Sequence, residues 1–190
     1  MAASVRTFAE EDTRPLKVFF QDEARFGRMS NPARCWAPAG FRPIVPMQRV
    51  REYTYLYGAV CPADGDSLSL ILPSANTEMM TLYLREFSLF YKDYRMVMVM
   101  DGAPWHKAKD LETFENIRII FQPSYSPELN PAEHLWEHLR ENYLQNGFWP
   151  SMGELEKVLM KALIAISYNK EIIQSPAGFH GAIFLCLMAN

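Results

Sequence analysis

The sequence predicts an α/β fold in which helices flank a mixed five-stranded sheet. Runs rich in β-branched and aromatic residues recur along the chain, which is typical of strands. Between the later runs, apolar residues recur at helical spacing. With 190 residues and 49% hydrophobic content, the chain is long enough to bury one good core, so we expect one domain.

Three strands are predicted in succession in the first half of the chain, at residues 17–21, 52–61 and 67–72. Residues 1–16 form a polar lead-in. The segment 24–51 separates the first two strands, and its prolines and Gly40 predict an extended loop insertion.

Helices alternate with strands in the second half. Helical periodicity predicts four helices, at residues 77–91, 108–115, 131–143 and 152–169. Two further strands are predicted at residues 95–100 and 117–121. The domain therefore spans residues 17–170, and the nearly uncharged tail at 171–190 has no assigned role.

Up to residue 143, the order of these elements is β-β-β-α-β-α-β-α, and the helix at 152–169 follows. Strands joined by short turns pair antiparallel, whereas strands joined through helices run parallel with right-handed crossovers. This is the order of the ribonuclease H-like fold, whose first and fourth strands lie side by side, about 4.8 Å apart. Asp22 and Asp101 follow those two strands directly, so we expect them to lie close together.

A third carboxylate, Glu133, lies in the first turn of the predicted helix 131–143. Carboxylates that gather at one place repel each other unless a cation binds between them. Oxygen ligands suit Mg²⁺ or Mn²⁺, and two such ions about 3.5–4 Å apart promote in-line phosphoryl displacement. Asp22, Asp101 and Glu133 are therefore the candidate metal ligands and catalytic residues.

Each acid also has an ordinary structural explanation. Asp22 could pair with Arg25, and Asp101 could form a turn. Glu133 stands where a capping-box carboxylate would bond back to Asn130. These explanations weaken when taken jointly, because the predicted topology brings all three acids together.

Positive charge is concentrated in one segment, although the whole chain has a net charge of −3. Residues 24–51 contain six arginines and no lysine or acid, so the rest of the chain carries −9. Arginine favours bidentate phosphate contacts, and such a patch can attract a polyanion. A solvated arginine-rich loop is the alternative.

Four stretches then carry a family resemblance: Phe20–Phe26, Cys35–Gly40, Met100–His106 and Tyr125–Trp136. They resemble DDE transposases of the Tc/mariner superfamily, and most closely its bacterial insertion-sequence branch. The third catalytic motif, which ends in Asn-Pro-Ala-Glu-His-Leu-Trp, is long and highly specific. The resemblance spans roughly residues 18–143.

This resemblance implies that Asp22, Asp101 and Glu133 hold two Mg²⁺ ions, for which Mn²⁺ can substitute. In the family, the site hydrolyses a phosphodiester at a transposon end, and the freed 3′-hydroxyl attacks target DNA. The arginine-rich loop corresponds to one that clamps DNA and a partner subunit, which implies a homodimer. The candidate DNA contacts are Arg25, Arg28, Arg34, Arg42 and His106. His106 could instead orient a metal ligand or cap a turn, and Glu23 is left outside the triad.

Other expectations concern location and missing parts. Cys35, Cys61 and Cys186 show no metal-ligand spacing and are expected to be free thiols in a reducing compartment. No leader and no membrane-length apolar run is visible, which predicts a soluble intracellular protein. The family resemblance implies a bacterial cytoplasmic protein that associates with the nucleoid when bound to DNA. No helix-turn-helix module precedes the first strand, so we expect a separate subunit or upstream domain to supply one.

Two alternatives stay open. His134, Glu137 and His138 fit the pattern H-x-x-E-H, in which two histidines bind zinc and the glutamate acts as a base, as in a metallopeptidase. The second alternative is a catalytically inactive transposase-derived relic that retains only DNA binding.

Overall fold

The structure is a computed structural model that describes residues 12–30, 32–123 and 130–174. Its strands are β1 (Leu16–Met29), β2 (Arg49–Val60), β3 (Ser67–Leu72), β4 (Arg95–Met100) and β5 (Ile117–Phe121). Its α-helices are α1 (Thr77–Phe90), α2 (Ala132–Leu139), α3 (Met152–Tyr168) and α4 (Glu171–Gln174). A short π-helix, Arg140–Leu144, continues α2.

The five strands form one mixed sheet in the order β3-β2-β1-β4-β5. β1 runs antiparallel to β2 and parallel to β4, with Phe20 opposite Val99. The predicted five-stranded sheet, with its first and fourth strands side by side, is confirmed. β1 is the central strand, so both of its edges pair with neighbouring strands.

Successive residues of β1 enter two different cores. Val18 and Phe20 pack with Trp136 and other side chains of α2 and α3 on one face of the sheet. Phe19 packs on the opposite face, where its ring centroid lies 4.8 Å from that of Phe87 in α1. This two-sided burial explains why the strand reads as a continuous apolar run instead of an alternating one.

β1 is longer than the sequence predicts. The predicted strand stops at Gln21, whereas the observed one continues to Met29 because its second half pairs with β2. At Gly27, a Cβ atom would lie 2.4 Å from the Glu52 carbonyl oxygen, so glycine permits this close pairing. The strands extend into the predicted loop insertion at 24–51 from both sides, since β1 ends at Met29 and β2 begins at Arg49. Between these strands, the described residues 30 and 32–48 are irregular.

The predicted helix at 108–115 is also wrong. A single 3₁₀ turn, Pro104–His106, precedes this segment, and no helix follows before β5. Leu111 and Phe114 nevertheless pack against the core beside α1. A helix of eight residues is marginal without tertiary support, and this segment gains its packing in an irregular conformation.

The other elements agree with the predictions to within a few residues. The Asn76 side chain caps α1 by accepting a hydrogen bond of 2.9 Å from the Met79 amide. In α4, Ile173 is buried in the core beside α2 and α3. Within the described ranges, no helix is both long and apolar enough to cross a membrane. Cys35 is an exposed free thiol, whereas Cys186 lies outside the described residues.

Candidate active site

Asp22 lies in the middle of β1, on the face that packs against α2. Its Oδ2 atom accepts a hydrogen bond of 2.8 Å from the indole Nε1 of Trp136. Trp136 is 1% exposed and belongs to the core. The apolar face of α2 therefore fixes the orientation of a carboxylate on the central strand.

The same helix carries Glu133, one turn before Trp136. Its start is attached to β1 by Asn130, which is 2% exposed. The Asn130 Nδ2 atom donates to the Gln21 carbonyl oxygen at 3.0 Å, and its Oδ1 atom accepts from the Ala132 amide at 3.1 Å. One buried amide thus joins the first turn of α2 to the residue that precedes Asp22. Residues 124–129, the earlier part of the third motif, lie outside the described residues.

The electrostatic state of Asp22 reflects this arrangement. Burial, together with the charges of Glu133 and Glu23, raises the pKa of Asp22 to about 7, although the hydrogen bond from Trp136 lowers it. Glu133 and Asp22 are therefore close enough to repel each other. Such a pair of carboxylates favours the binding of either a proton or a cation.

Asp101 follows β4 directly. The last paired residues of the parallel β1–β4 ladder are Phe20 and Val99, two positions before Asp22 and Asp101. The Asp101 Oδ1 atom accepts from the Ala103 amide at 2.9 Å and lies 2.8 Å from His106 Nδ1. The hydrogen bond with His106 lowers the pKa of Asp101 although partial burial opposes this. Asp101 is thus charged and held by its own loop.

His106 joins Asp101 to an acid that the sequence analysis left outside the triad. Its Nε2 atom lies 2.8 Å from Glu23 Oε1, and the two side chains are 0% and 6% exposed. Burial opposes a charge on this imidazole, but the hydrogen bonds to Asp101 and Glu23 outweigh it and raise the His106 pKa to about 9. The alternation of a strand sends Asp22 and Glu23 to opposite faces, and that signal was visible in the sequence.

The donor set is chemically suited to Mg²⁺ or Mn²⁺, because Asp22, Asp101 and Glu133 supply only carboxylate oxygens. The structure brings Asp22 together with Glu133, and the register places Asp101 on the neighbouring strand end. In the present side-chain arrangement, no three His, Cys, Asp or Glu residues of the described ranges group closely enough to hold a metal ion. Asp101 is instead engaged by His106.

The candidate DNA contacts fall into three environments. Arg25 is exposed and stacks over the Tyr53 ring at 4.5 Å, while Arg34 and Arg42 are exposed in the loop between β1 and β2. Arg28 is bonded to the protein itself, as described below. His106 is 2% exposed, so little of its side chain is available for the predicted DNA contact.

Arg28 binds three protein groups. Its Nε atom donates to the Trp149 carbonyl oxygen at 2.9 Å, and its Nη2 atom donates to the Pro150 carbonyl oxygen at 2.8 Å. Its Nη1 atom forms an ion pair of 2.6 Å with Glu52. This guanidinium therefore joins β1, β2 and the segment before α3, instead of facing solvent.

The loop between β1 and β2, residues 32–48, exposes large apolar side chains. Trp36 and Ile44 are fully or almost fully exposed, and Phe41 and Met47 are more than half exposed. The loop is attached mainly at its base, where Gln145 Nε2 donates to the Arg34 carbonyl oxygen at 3.0 Å. Between this base and the π-helix lies a cavity of about 600 Å³ that includes Arg25 and Arg140 in its walls.

The zinc pattern H-x-x-E-H does not form a metal site. His134 Nδ1 lies 3.1 Å from Glu137 Oε2, so the glutamate contacts one of the two histidines predicted to bind zinc. The His138 ring nitrogen instead contacts the Asn142 amide at 3.2 Å. In the part of the chain that the structure describes, no third ligand joins them.

A family model matches this architecture. The model of the DDE superfamily endonucleases covers residues 17–156, which include all three acids. The chain belongs to the DDE superfamily of endonucleases. The predicted family resemblance is therefore confirmed, and the metallopeptidase alternative is wrong.

Relatives of this DDE endonuclease occur in bacteria and nematodes. The Sinorhizobium fredii protein y4pE/y4sA is 40% identical over 104 residues, which cover 54% of this chain and 77% of that protein. The 39 kDa protein of insertion element IS630 from Shigella sonnei is 24% identical, over 94% of this chain and 52% of its own length. The Tc3 transposase of Caenorhabditis elegans is 27% identical, over 84% and 53%. The chain thus spans about half the length of these two transposable-element proteins.

Solved structures confirm the ribonuclease H-like fold. The Mos1 transposase in its strand transfer complex aligns with a TM-score of 0.66 at 16% identity, covering 98% of this chain and 57% of that one. The Mos1 paired-end complex gives 0.64 at 17% identity, with 96% and 59% covered. A simian T-cell lymphotropic virus intasome gives 0.51 at 13% identity, with 88% and 57% covered. At these identities the likeness concerns the fold alone.

Proposed function

We propose that this chain is the catalytic domain of a transposase. It cleaves DNA phosphodiester bonds at transposon ends and joins the freed 3′-hydroxyl to target DNA. Membership of the DDE endonucleases supports the cleavage step, and two relatives bear the names of an insertion element and a transposase. The proposed activity is that of longer relatives, and this chain aligns with about half the length of each.

The observation that carries the proposal is the bond between Trp136 and Asp22. It joins the helix that bears Glu133 to the central strand that bears Asp22, with 2.8 Å between Nε1 and Oδ2. A buried indole N–H usually has a hydrogen-bond acceptor, and the acceptor here is a carboxylate on the central strand. The bond therefore orients this carboxylate relative to a helix whose first turn carries another.

Asp22, Asp101 and Glu133 are the proposed catalytic residues and would hold Mg²⁺, or Mn²⁺ in its place. Two bound ions would activate the attacking oxygen and stabilise the leaving oxygen of an in-line displacement. Two Mos1 paired-end complexes are described with Mg and with Mn, which supports the choice of metal. In this chain the support is the all-carboxylate donor set and the mutual repulsion of Asp22 and Glu133.

The protein groups would act mainly by holding charge in place. With its pKa raised to about 7, the Asp22 carboxyl group carries a proton in part of the molecules at neutral pH. Trp136 keeps Oδ2 oriented in either state, since an indole N–H donates to both forms. Asp101 stays ionised because the hydrogen bond from His106 lowers its pKa.

DNA would bind beside this site along the loop between β1 and β2. Arg25, Arg34 and Arg42 are the proposed phosphate contacts, because they are exposed and lie in a segment without acids. The exposed apolar side chains of the same loop fit a contact with a second subunit, so we propose a homodimer in the active complex. A helix-turn-helix subunit or domain would recognise the transposon ends, and the reaction would take place at the bacterial nucleoid in the cytoplasm.

The test is cleavage of a labelled duplex that carries the ends of the element, in Mn²⁺. Wild type is compared with Asp101→Asn and with the control Glu112→Gln, which removes an exposed ion pair with Arg85 at 2.7 Å. We expect cleavage by wild type and control, and none by Asp101→Asn. Activity that survives in Asp101→Asn would remove this residue from the mechanism. Absence of cleavage in all three, with DNA still bound, would favour the relic.

A further inference from the structure

Glu23 is a buried carboxylate that the proposed triad does not use. Its side chain is 6% exposed, on the face of the sheet opposite to Asp22. Burial of an isolated carboxylate is costly, so this group needs partners. Its Oε1 atom has two: His106 Nε2 at 2.8 Å and Gln21 Nε2 at 3.2 Å.

His106 extends this contact to Asp101. Its Nδ1 atom lies 2.8 Å from Asp101 Oδ1 and 3.1 Å from the Asp101 carbonyl oxygen. Ionised carboxylates only accept hydrogen bonds, so both ring nitrogens act as donors. The imidazole thus bridges Glu23 and Asp101, and the His106 side chain is fully buried.

Asp101 needs such a support. It lies beyond the last paired residues of the β1–β4 ladder, and its side chain is 48% exposed. Besides His106, the contact that orients its carboxylate is the Ala103 amide at 2.9 Å, which belongs to the same loop. Both contacts use Oδ1. Without His106, the Ala103 amide of the same loop would remain as its hydrogen-bond donor among the described residues.

We propose that Glu23 and His106 are positioning residues that fix the Asp101 carboxylate for cation binding. This inference rests on the proposed function, which makes Asp101 a metal ligand. Partners that hold a ligand typically change metal affinity by about 10- to 100-fold when they are removed. A buried ion pair is a poor stabilising device compared with apolar packing, which favours a role in orientation.

The experiment compares Glu23→Gln, His106→Ala and the double variant with wild type and the exposed control Glu112→Gln. Mn²⁺ affinity of the metal-free protein is measured by calorimetric titration, without DNA. We expect His106→Ala to weaken Mn²⁺ binding by about 10- to 100-fold and Glu23→Gln to weaken it less. Because both residues act through one contact, the double variant should equal His106→Ala instead of adding to it. The control should match wild type.

A second measurement does not depend on metal. The Ala103 amide proton donates to Asp101 Oδ1, so its NMR shift and exchange rate report whether that carboxylate stays in place. We expect both to change in His106→Ala and in Glu23→Gln. Unfolding temperatures lowered in both variants, with an unchanged Ala103 signal and unchanged Mn²⁺ affinity, would overturn the inference in favour of a purely structural pair.

The two proposals fail in different ways. If wild type binds no Mn²⁺ and cleaves no DNA, the proposed function fails, whatever the Ala103 signal does. In that case a changed Ala103 signal still shows that Glu23 and His106 hold Asp101, and an unchanged one overturns this too. If His106→Ala fails to fold, the Mn²⁺ affinity and the Ala103 signal of Glu23→Gln decide the question. This variant should fold, because it keeps the side-chain volume and an acceptor oxygen for His106.

Discussion

The two functional regions of this molecule are built in opposite ways. Around Asp22, the polar groups are buried and each is held by a partner from another element, such as Trp136 or Asn130. In the loop at 32–48, apolar and charged side chains face solvent, and the contacts to the domain lie at the base. The proposed catalytic carboxylate is therefore held in place by the fold, whereas the loop that we propose to bind DNA is held to the domain at its base.

The substitution with the greatest predicted consequence is at Asp22, in the buried region. Asp22→Asn keeps the size of the side chain and an oxygen for the Trp136 hydrogen bond, but removes the charge. We expect DNA cleavage to fall on the order of a thousandfold, since a metal site supplies several kcal/mol of transition-state stabilisation. The folded structure, followed by circular dichroism, should not change. Cleavage within tenfold of wild type would show that the buried acid is not part of the site.

A second prediction concerns stability against pH. The pKa of Asp22 is raised from 3.8 to about 7 in the folded state, so its contribution to stability is lost as pH rises through this range. The loss is expected to reach a few kcal/mol, at most about 1.4 kcal/mol per pH unit. Urea unfolding at pH 5 and pH 8 should show a smaller decrease for Asp22→Asn than for wild type. Equal decreases would contradict the assigned pKa.

The contribution of His106 to stability is also lost as pH rises, but at higher pH than that of Asp22. Its pKa is raised from 6.5 to about 9, so the stability it contributes is complete below pH 6.5 and lost as pH rises to 9. The same urea experiment on His106→Ala at pH 6 and pH 9 should remove this second decrease only. The two pH ranges thus distinguish the stability contributed by Asp22 from that contributed by His106, whose groups lie on opposite faces of β1.

A further prediction distinguishes Arg28, which binds the protein itself, from Arg34 and Arg42, which are exposed in the loop at 32–48. Arg28→Ala should lower the free energy of unfolding by about 1–3 kcal/mol, because it leaves the Trp149 and Pro150 carbonyl groups without a charged donor. Arg34→Ala with Arg42→Ala should leave stability within about 0.5 kcal/mol. That pair should instead weaken DNA binding and reduce its salt dependence by about two phosphate contacts. A reversed result would place Arg28 at the DNA surface.

The smallest expected effect isolates one hydrogen bond. Trp136→Phe retains an aromatic ring in the core but removes the donor to Asp22, at a cost of about 1 kcal/mol from the bond itself. Trp105→Phe is the matched control, since Trp105 Nε1 is buried without a hydrogen-bond partner in the described residues. We expect urea unfolding to show a loss only for Trp136→Phe, accompanied by reduced cleavage. Equal effects of the two substitutions would remove the orienting role of Trp136.

Local patterns in the sequence were sufficient for most of the scaffold. The strands at 67–72, 95–100 and 117–121 have the predicted bounds, because each is a compact apolar run between turn residues. The failures occurred where pairing partners decide the outcome. β1 continues through Arg25 to Met29 because β2 supplies a ladder for it, and no pattern within the segment 22–29 signals that partner.

Local periodicity was enough to predict the order of the five strands, although the helix predicted at 108–115 is absent. Motifs contiguous along the chain were enough to identify the family and to nominate the three acids as candidates. What each acid contacts depends on the tertiary structure. Trp136 lies 114 positions from Asp22, and His106 lies 83 from Glu23. Hydrogen bonds across such separations depend on which faces of the sheet and helices meet, and this is set by the packing of two cores at once.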